Sequence, residues 1–159
     1  MARAGRAFFS LDPGNPLDTY LVLAAWTYAA GLGVHCWNPL GAEEMPVGGE
    51  REARRVLRQE LRGCRLAVAL VGRETGRRST VARWEMETAL ELDLPVLAVN
   101  LNGKDGLDQR RCPEVLKGRT VLHVAFARPV VTYALQVWPE RYPQARRVGR
   151  VDLGVHELG

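Results

Sequence analysis

The sequence predicts a three-layer, doubly wound α/β domain around a mostly parallel, five-stranded sheet, and three observations carry that reading. The run Leu66-Ala67-Val68-Ala69-Leu70-Val71 is apolar without interruption and stops at Gly72, the pattern of a short strand buried on both faces. Short apolar runs of this kind alternate with helix-period segments five times between the N-terminus and Trp138, which implies parallel strands with helices between them. Right-handed crossovers then place helices on both faces of the sheet and gather the strand-to-helix loops at the C-terminal strand ends.

The elements follow in order. Arg6–Leu11 is the first strand, stopped by the turn signal Asp12-Pro13-Gly14-Asn15-Pro16. Asn15 suits an N-cap and Pro16 a first helical position, opening a helix to about Ala30 that Gly31 or Gly33 ends. This helix is apolar nearly all round, with Leu17, Leu21, Val22, Ala24, Ala25, Ala29 and Ala30 beside Tyr20, Trp26 and Tyr28. Such a helix needs cover on two sides: either a subunit interface, or a central position with loops over the aromatics. Val34–Trp37 is the second strand, broken by Asn38-Pro39-Leu40-Gly41. Glu50–Arg62 is amphipathic, with Ala53, Val56, Leu57 and Leu61 on one face and arginines on the rest. After Leu66–Val71 come a polar loop, the helix that carries Arg83-Trp84-Glu85, and a fourth strand at Leu94–Asn100. Leu101–Arg111 is a polar loop with no clear structure, Pro113–Gly118 one helical turn, Thr120–Val124 a fifth strand, and Val130–Trp138 a last helix ended by Pro139. Residues 1–138 make a single domain. Residues 139–159 make a tail or packing extension, with Val148–Val155 a weak strand candidate.

A chain of 159 residues, 47% apolar and 25% charged, is long enough for one domain with a real core. The net charge of +4 comes from arginine, with only Lys104 and Lys117 as lysines. No aromatic-basic interleaving accompanies it, so a solvated surface is expected rather than a nucleic-acid face. Cys36, Cys64 and Cys112 form no CxxC pair, and His35, His123 and His156 have no ligand spacing; neither a metal site nor a disulfide framework is expected. With no apolar stretch of signal-peptide or membrane-span character, the expected setting is a reduced cytoplasm.

Four loops converge at the C-terminal strand ends: Ser10–Asn15, Asn38–Gly49, Gly72–Ser79 and Asn100–Asp108. There is no GxGxxG, no P-loop and no GxSxG. Gly72-Arg73-Glu74-Thr75-Gly76 before a helix can hold a phosphate at the helix N-terminus, though glycine turns after strands are common. Ser10 is a candidate polar contact. Asp12 is a candidate acid or a turn-former. Helix phase singles out Glu85: at about 100° per residue, Val81, Ala82, Met86, Ala89, Leu90 and Leu92 share one side, Arg83, Glu87 and Glu91 the other. Glu85 falls in the apolar arc, where a carboxylate is costly unless a partner or a cleft reaches it. A dipole or loop-amide role near the helix N-terminus explains it equally well. Trp84, on another side, reads as a packing or interface residue.

Phe8-Phe9-Ser10 closing the first strand, and Ala69-Leu70-Val71-Gly72-Arg73-Glu74-Thr75 followed by Ser79-Thr80-Val81-Ala82-Arg83-Trp84-Glu85-Met86, resemble the bacterial TIR-like domain family. That family includes the Thoeris anti-phage signal generators. The resemblance covers about Arg6 to Asn100 and extends to Trp138. It implies a flavodoxin-like, TIR-like fold with Glu85 as the catalytic residue. It also implies cleavage of the nicotinamide–ribose bond of NAD, followed by closure of ADP-ribose into a cyclic signal for a partner effector. NAD is then the substrate and no cofactor is needed; association into a homo-oligomer on activation is implied too. The substrate contacts it points to are Phe9 or Trp37 stacking on a ring, and backbone amides near Ser10 and Thr75 on phosphate, within a set completed by Asp12, Asn38 and Gly72. Val81 stands where the family often has Trp, and the Arg common in the first helix is absent. A non-catalytic scaffold of the same fold is the alternative; a nucleoside deoxyribosyltransferase, with an open α/β sheet and catalytic Glu, matches the motifs less well.

Overall fold

The structure, a computed structural model, describes residues 5–11, 16–36, 47–73 and 80–158. The strands are β1 (Arg6–Ser10), β2 (Gly33–His35), β3 (Leu66–Val71), β4 (Val96–Asn100), β5 (Val121–Ala125) and β6 (Leu153–Gly154). The helices are α1 (Leu17–Ala29), α2 (Gly49–Arg62), α3 (Thr80–Glu91) and α4 (Arg128–Arg147). The strands form one sheet in the order β2-β1-β3-β4-β5-β6, and every neighbouring pair is parallel. The doubly wound α/β class is therefore observed, with six strands where five were expected.

Strand alternation divides the core in two. Phe9, Val68, Leu70, Leu97, Val99, Leu122 and Val124 pack against α1 and α4 through Leu23, Leu135, Trp138 and Tyr142. Phe8, Ala67, Ala69, Val71, Ala98 and Val121 face α2 and α3 through Leu57, Leu61, Trp84, Met86 and Ala89. The sheet residues on this second face are smaller, which lets α3 lie close.

The expected end of the last helix at Pro139 is corrected: α4 continues through Pro139 and Pro143 to Arg147. Its buried residues Val131, Ala134, Leu135, Trp138, Tyr142 and Ala145 keep helical spacing past both prolines. Both prolines lie outside that buried stripe. They free the carbonyls of Leu135 and Pro139 from helical bonds, and packing of the buried stripe outweighs that local cost. Trp138 is fully buried and its indole N–H donates to the Val96 carbonyl at 3.0 Å. The chain beyond α4 returns as β6, whose Leu153 completes the α1/α4 core. The steps β3 to β4 and β5 to β6 run the same way along the sheet, but α3 and α4 lie on opposite faces. The two crossovers thus have opposite hands, and β5–α4–β6 departs from the usual right-handed rule. The α1 face needs a second helix, and α4 is the one left to supply it.

The loop expected to lack clear structure is stitched together. The Asn100 amide donates to the carbonyls of Lys104 (2.9 Å) and Gly106 (2.7 Å). The Asp108 carboxylate accepts from the backbone N–H groups of Arg110 and Arg111, each at 3.0 Å. The second strand ends at His35, before Trp37, and the Asn15 cap falls outside the described residues. Helix α1 is not central. It buries Leu23, Ala24 and Thr27 and leaves Leu17, Leu21, Val22 and Tyr28 exposed, Tyr28 by 63%.

His123, in the middle of β5, is fully buried, and neither ring nitrogen has a hydrogen-bond partner among the described residues. Asp152 lies 3.8 Å from its Nε2. Burial pushes its pKa down from 6.5 to about 4, with Asp152 opposing. The unfolded chain therefore takes up this proton first, so its contribution to stability is complete above about pH 6.5 and is lost as pH falls toward 4. Urea denaturation across pH 4–7 should show that acid loss in the wild type and a flatter limb in His123→Gln. Equal slopes for the two proteins would assign the acid sensitivity elsewhere.

Candidate functional site

The sheet order reverses between β1 and β3: from β1 the chain steps outward to β2, then back across to β3. In open parallel sheets this switch point, at the C-terminal strand ends, opens a crevice for a ligand. Ser10 is the last residue of β1, and its register partner on β3 is Ala69. Because neighbours in a strand point to opposite faces, Ser10 shares the α2/α3 face with Phe8, while Phe9 faces α1.

Glu85 meets Ser10 there. The Ser10 Oγ donates to Glu85 Oε1 at 2.8 Å, joining two residues 75 positions apart. Glu85 is only 3% exposed, and no cation pairs with it among the described residues. Burial therefore dominates its ionisation and pushes the carboxyl pKa from 4.5 up to about 8, while the Ser10 hydrogen bond pulls the other way. At neutral pH the carboxyl is largely protonated, a neutral acid at the switch point whose ionisation a positively charged ligand would favour.

The orientation of α3 is set from its far side. Trp84 is buried in the α2/α3 core. The Arg54 guanidinium of α2 lies over its ring, 5.8 Å from the centroid, and bonds Glu87 at 2.8 Å and Glu50 at 2.9 Å. Trp84 is thus a packing residue, clamped between the two helices. Its neighbour Glu85, about 100° further round, is turned to β1. Within α3 the Thr88 hydroxyl donates to the Trp84 carbonyl at 2.7 Å, so it needs no outside partner.

Of the residues singled out from sequence, the structure brings Ser10 and Glu85 into contact. Gly72 is buried directly after β3, three residues beyond the Ala69 that pairs with Ser10. Phe9 departs from its expected role. It is 1% exposed, packed edge-on against Tyr20 at 5.8 Å, on the sheet face opposite Ser10 and Glu85. It serves the α1 core instead of presenting a stacking surface on the Glu85 side. Asp12, Trp37, Asn38 and Thr75 lie outside the described residues. Asn100 was read only as a strand end. It is fully buried at the C-terminus of β4, where its amide orders the next loop and its Oδ1 has no partner among the described residues. A buried Asn at the end of an apolar strand is the signal that could have found it. Among the described residues no group of three or more His, Cys, Asp or Glu gathers as a metal site, and no helix is long and apolar enough to cross a membrane.

Residues 38–105 match the family described as Thoeris protein ThsB, TIR-like domain. The matched segment takes in α2, β3, α3 and β4, and so includes Gly72, Glu85 and Asn100. Ser10 precedes it. The TIR-like resemblance carried by Ala69–Met86 is borne out by this match. No curated protein matches the chain.

The Glu85 pKa has a consequence for stability that is independent of turnover. A carboxyl raised from 4.5 to about 8 on folding contributes fully below pH 4.5, and that contribution is lost as pH rises through 8. Glu85→Gln keeps the shape and removes the charge. It should therefore be more stable than wild type at pH 8, by roughly 1–3 kcal/mol, and close to it at pH 5. Thermal denaturation at the two pH values checks this. A variant less stable than wild type at pH 8 would mean that the buried carboxylate is compensated.

Proposed function

We propose that this chain is a TIR-like, NAD-cleaving enzyme of anti-phage defence that breaks the nicotinamide–ribose bond through Glu85 and makes a cyclic ADP-ribose-type signal for a partner effector. The observation that carries the reading is the buried Glu85 carboxyl held by Ser10 at the sheet's switch point. The family match over 38–105 supports it.

The chemistry suits such a group. In NAD the nicotinamide ring carries a positive charge. As the glycosidic bond breaks, nicotinamide leaves neutral and the charge passes to the ribose as an oxocarbenium ion. A carboxylate in a water-poor site stabilises that charge strongly. Glu85 is protonated at rest, but the cationic ring beside it favours loss of the proton. Ser10, donating to Oε1, stabilises the ionised form and fixes the carboxyl's orientation. Attack by water on the ribose gives ADP-ribose and a proton; attack by a nucleophile of the substrate's own adenine gives a cyclic product.

One observation favours a second reading, a non-catalytic TIR-like interaction module. The exposed residues of α1 include Leu17, Leu21, Val22, Ala25, Tyr28 and Ala29, with Asp18 as the one charge among them. This is an uncovered apolar face of the sort that marks association. It fits equally an enzyme that works as a homo-oligomer, so activity decides between the readings.

Incubation with NAD, with and without lysate of phage-infected cells, should release nicotinamide, measured by chromatography. Glu85→Gln should reduce the rate by at least about 10²-fold, the scale of removing a charge-stabilising group. Because the ionised carboxyl is required, kcat/KM should rise with pH through a midpoint near 8 and level off above it. Ser10→Ala removes the bond that favours ionisation and should move that limb to higher pH. Identical rates for wild type and Glu85→Gln under every condition would leave the interaction module as the surviving reading.

A further inference from the structure

At the opposite end of the sheet, below the N-terminal strand ends, Leu90, Gly118, Arg119, Thr120, Tyr142, Arg146, Gly149 and Val151 line a cleft of about 250 Å³. We propose that this cleft is a second ligand site, remote from Glu85, that binds a phosphorylated sugar through the guanidinium groups of Arg119 and Arg146.

The walls are built in place. The Arg119 carbonyl accepts from the N–H groups of Val121 (2.8 Å) and Asp152 (3.0 Å), which roots the residue on both sides. The Gly118 N–H donates to Asp152 Oδ1 at 2.9 Å, and the Arg150 N–H to the Ala145 carbonyl at 3.0 Å. Gly118 and Gly149 have φ of 69° and 74°, turns that a side chain would strain. The rim is therefore formed before any ligand arrives, which lowers the cost of binding.

Its polar groups specify the ligand. The Thr120 hydroxyl donates to the Arg150 carbonyl at 2.8 Å, and the Tyr142 hydroxyl to Asp93 Oδ1 at 2.5 Å. With its hydrogen committed, the Thr120 oxygen is left as an acceptor suited to a sugar hydroxyl, while the Tyr142 oxygen already takes a hydrogen bond from Arg146. Donors come from arginine. Arg146 spends its Nε on Asp93 at 3.2 Å and is also hydrogen-bonded to the Tyr142 hydroxyl, which leaves the rest of its five N–H groups for a ligand. Arg119 is exposed and has no acidic partner among the described residues. Two guanidinium forks match the oxygens of a phosphate, and Leu90 and Val151 offer apolar surface to a sugar ring. A cleft of about 250 Å³ has room for a phosphorylated pentose. The lining combines arginine donors for phosphate with the Thr120 oxygen as an acceptor for a hydroxyl, which a dicarboxylate would leave unused.

Calorimetric titration of the full chain with ribose 5-phosphate, inorganic phosphate and ribose, at constant ionic strength, tests the site. Ribose 5-phosphate should bind best, inorganic phosphate more weakly, and ribose not measurably. Arg119→Ala, which breaks no contact within the fold, should weaken ribose 5-phosphate at least about tenfold. Glu85→Gln should leave its affinity unchanged, whether or not Glu85 is catalytic. The proposal is overturned by absence of binding up to about 10 mM, by equal affinity in Arg119→Ala and wild type, or by loss of binding in Glu85→Gln instead.

Discussion

Strand β3 buries all six of its side chains, and the rest of the molecule follows from that requirement. A strand with no solvated face needs a partner strand on each edge and a helix layer above and below. β1 and β4 supply the edges, α1 with α4 one layer, and α2 with α3 the other. A parallel sheet built this way has its strand ends all at one side. The switch in strand order beside β3 puts the ends of β1 and β3 where open parallel sheets bind their ligands, with α3 alongside.

Into that apolar setting the chain puts a carboxyl. Glu85 shares its helix with residues that complete the α2/α3 core, and burial alone would keep it neutral. One hydroxyl, that of Ser10, offsets part of the cost. The helix is held so that the acid faces β1 by contacts elsewhere: Trp84 packed in the core, with Arg54 across its ring and on Glu87. An acid whose pKa burial shifts this far is a feature that functional sites and buried structural networks share. The matched family segment, 38–105, centres on β3 and α3.

Much of this was legible in the sequence. The five longer strands were readable as apolar runs, and the burial of Glu85 from its helix phase. β6 was legible only as the weak candidate Val148–Val155, because two paired residues carry no periodicity. The length of α4 was concealed by the proline rule, although Trp138, Tyr142 and Ala145 continued the stripe. Phe9 and Ser10 are adjacent in a strand and so cannot both face the site. Which of them does depends on the face that α3 covers, and no local pattern records that. Asn100 ended a strand in the sequence, and only its hydrogen bonds to Lys104 and Gly106 showed that it organises a loop.

The sequence by itself determined the doubly wound class, the elements near β3 and the presence of an acid on the buried side of α3. These depend on runs and periodicities of a few residues, which local chemistry dictates. Tertiary structure alone decided that Ser10 is the partner of that acid, that Phe9 turns away, and that Arg119, Tyr142 and Arg146 border a common cleft. Each of those meetings joins residues far apart in the chain. They are set by strand order and by the helix layers, and so by packing across the whole sheet.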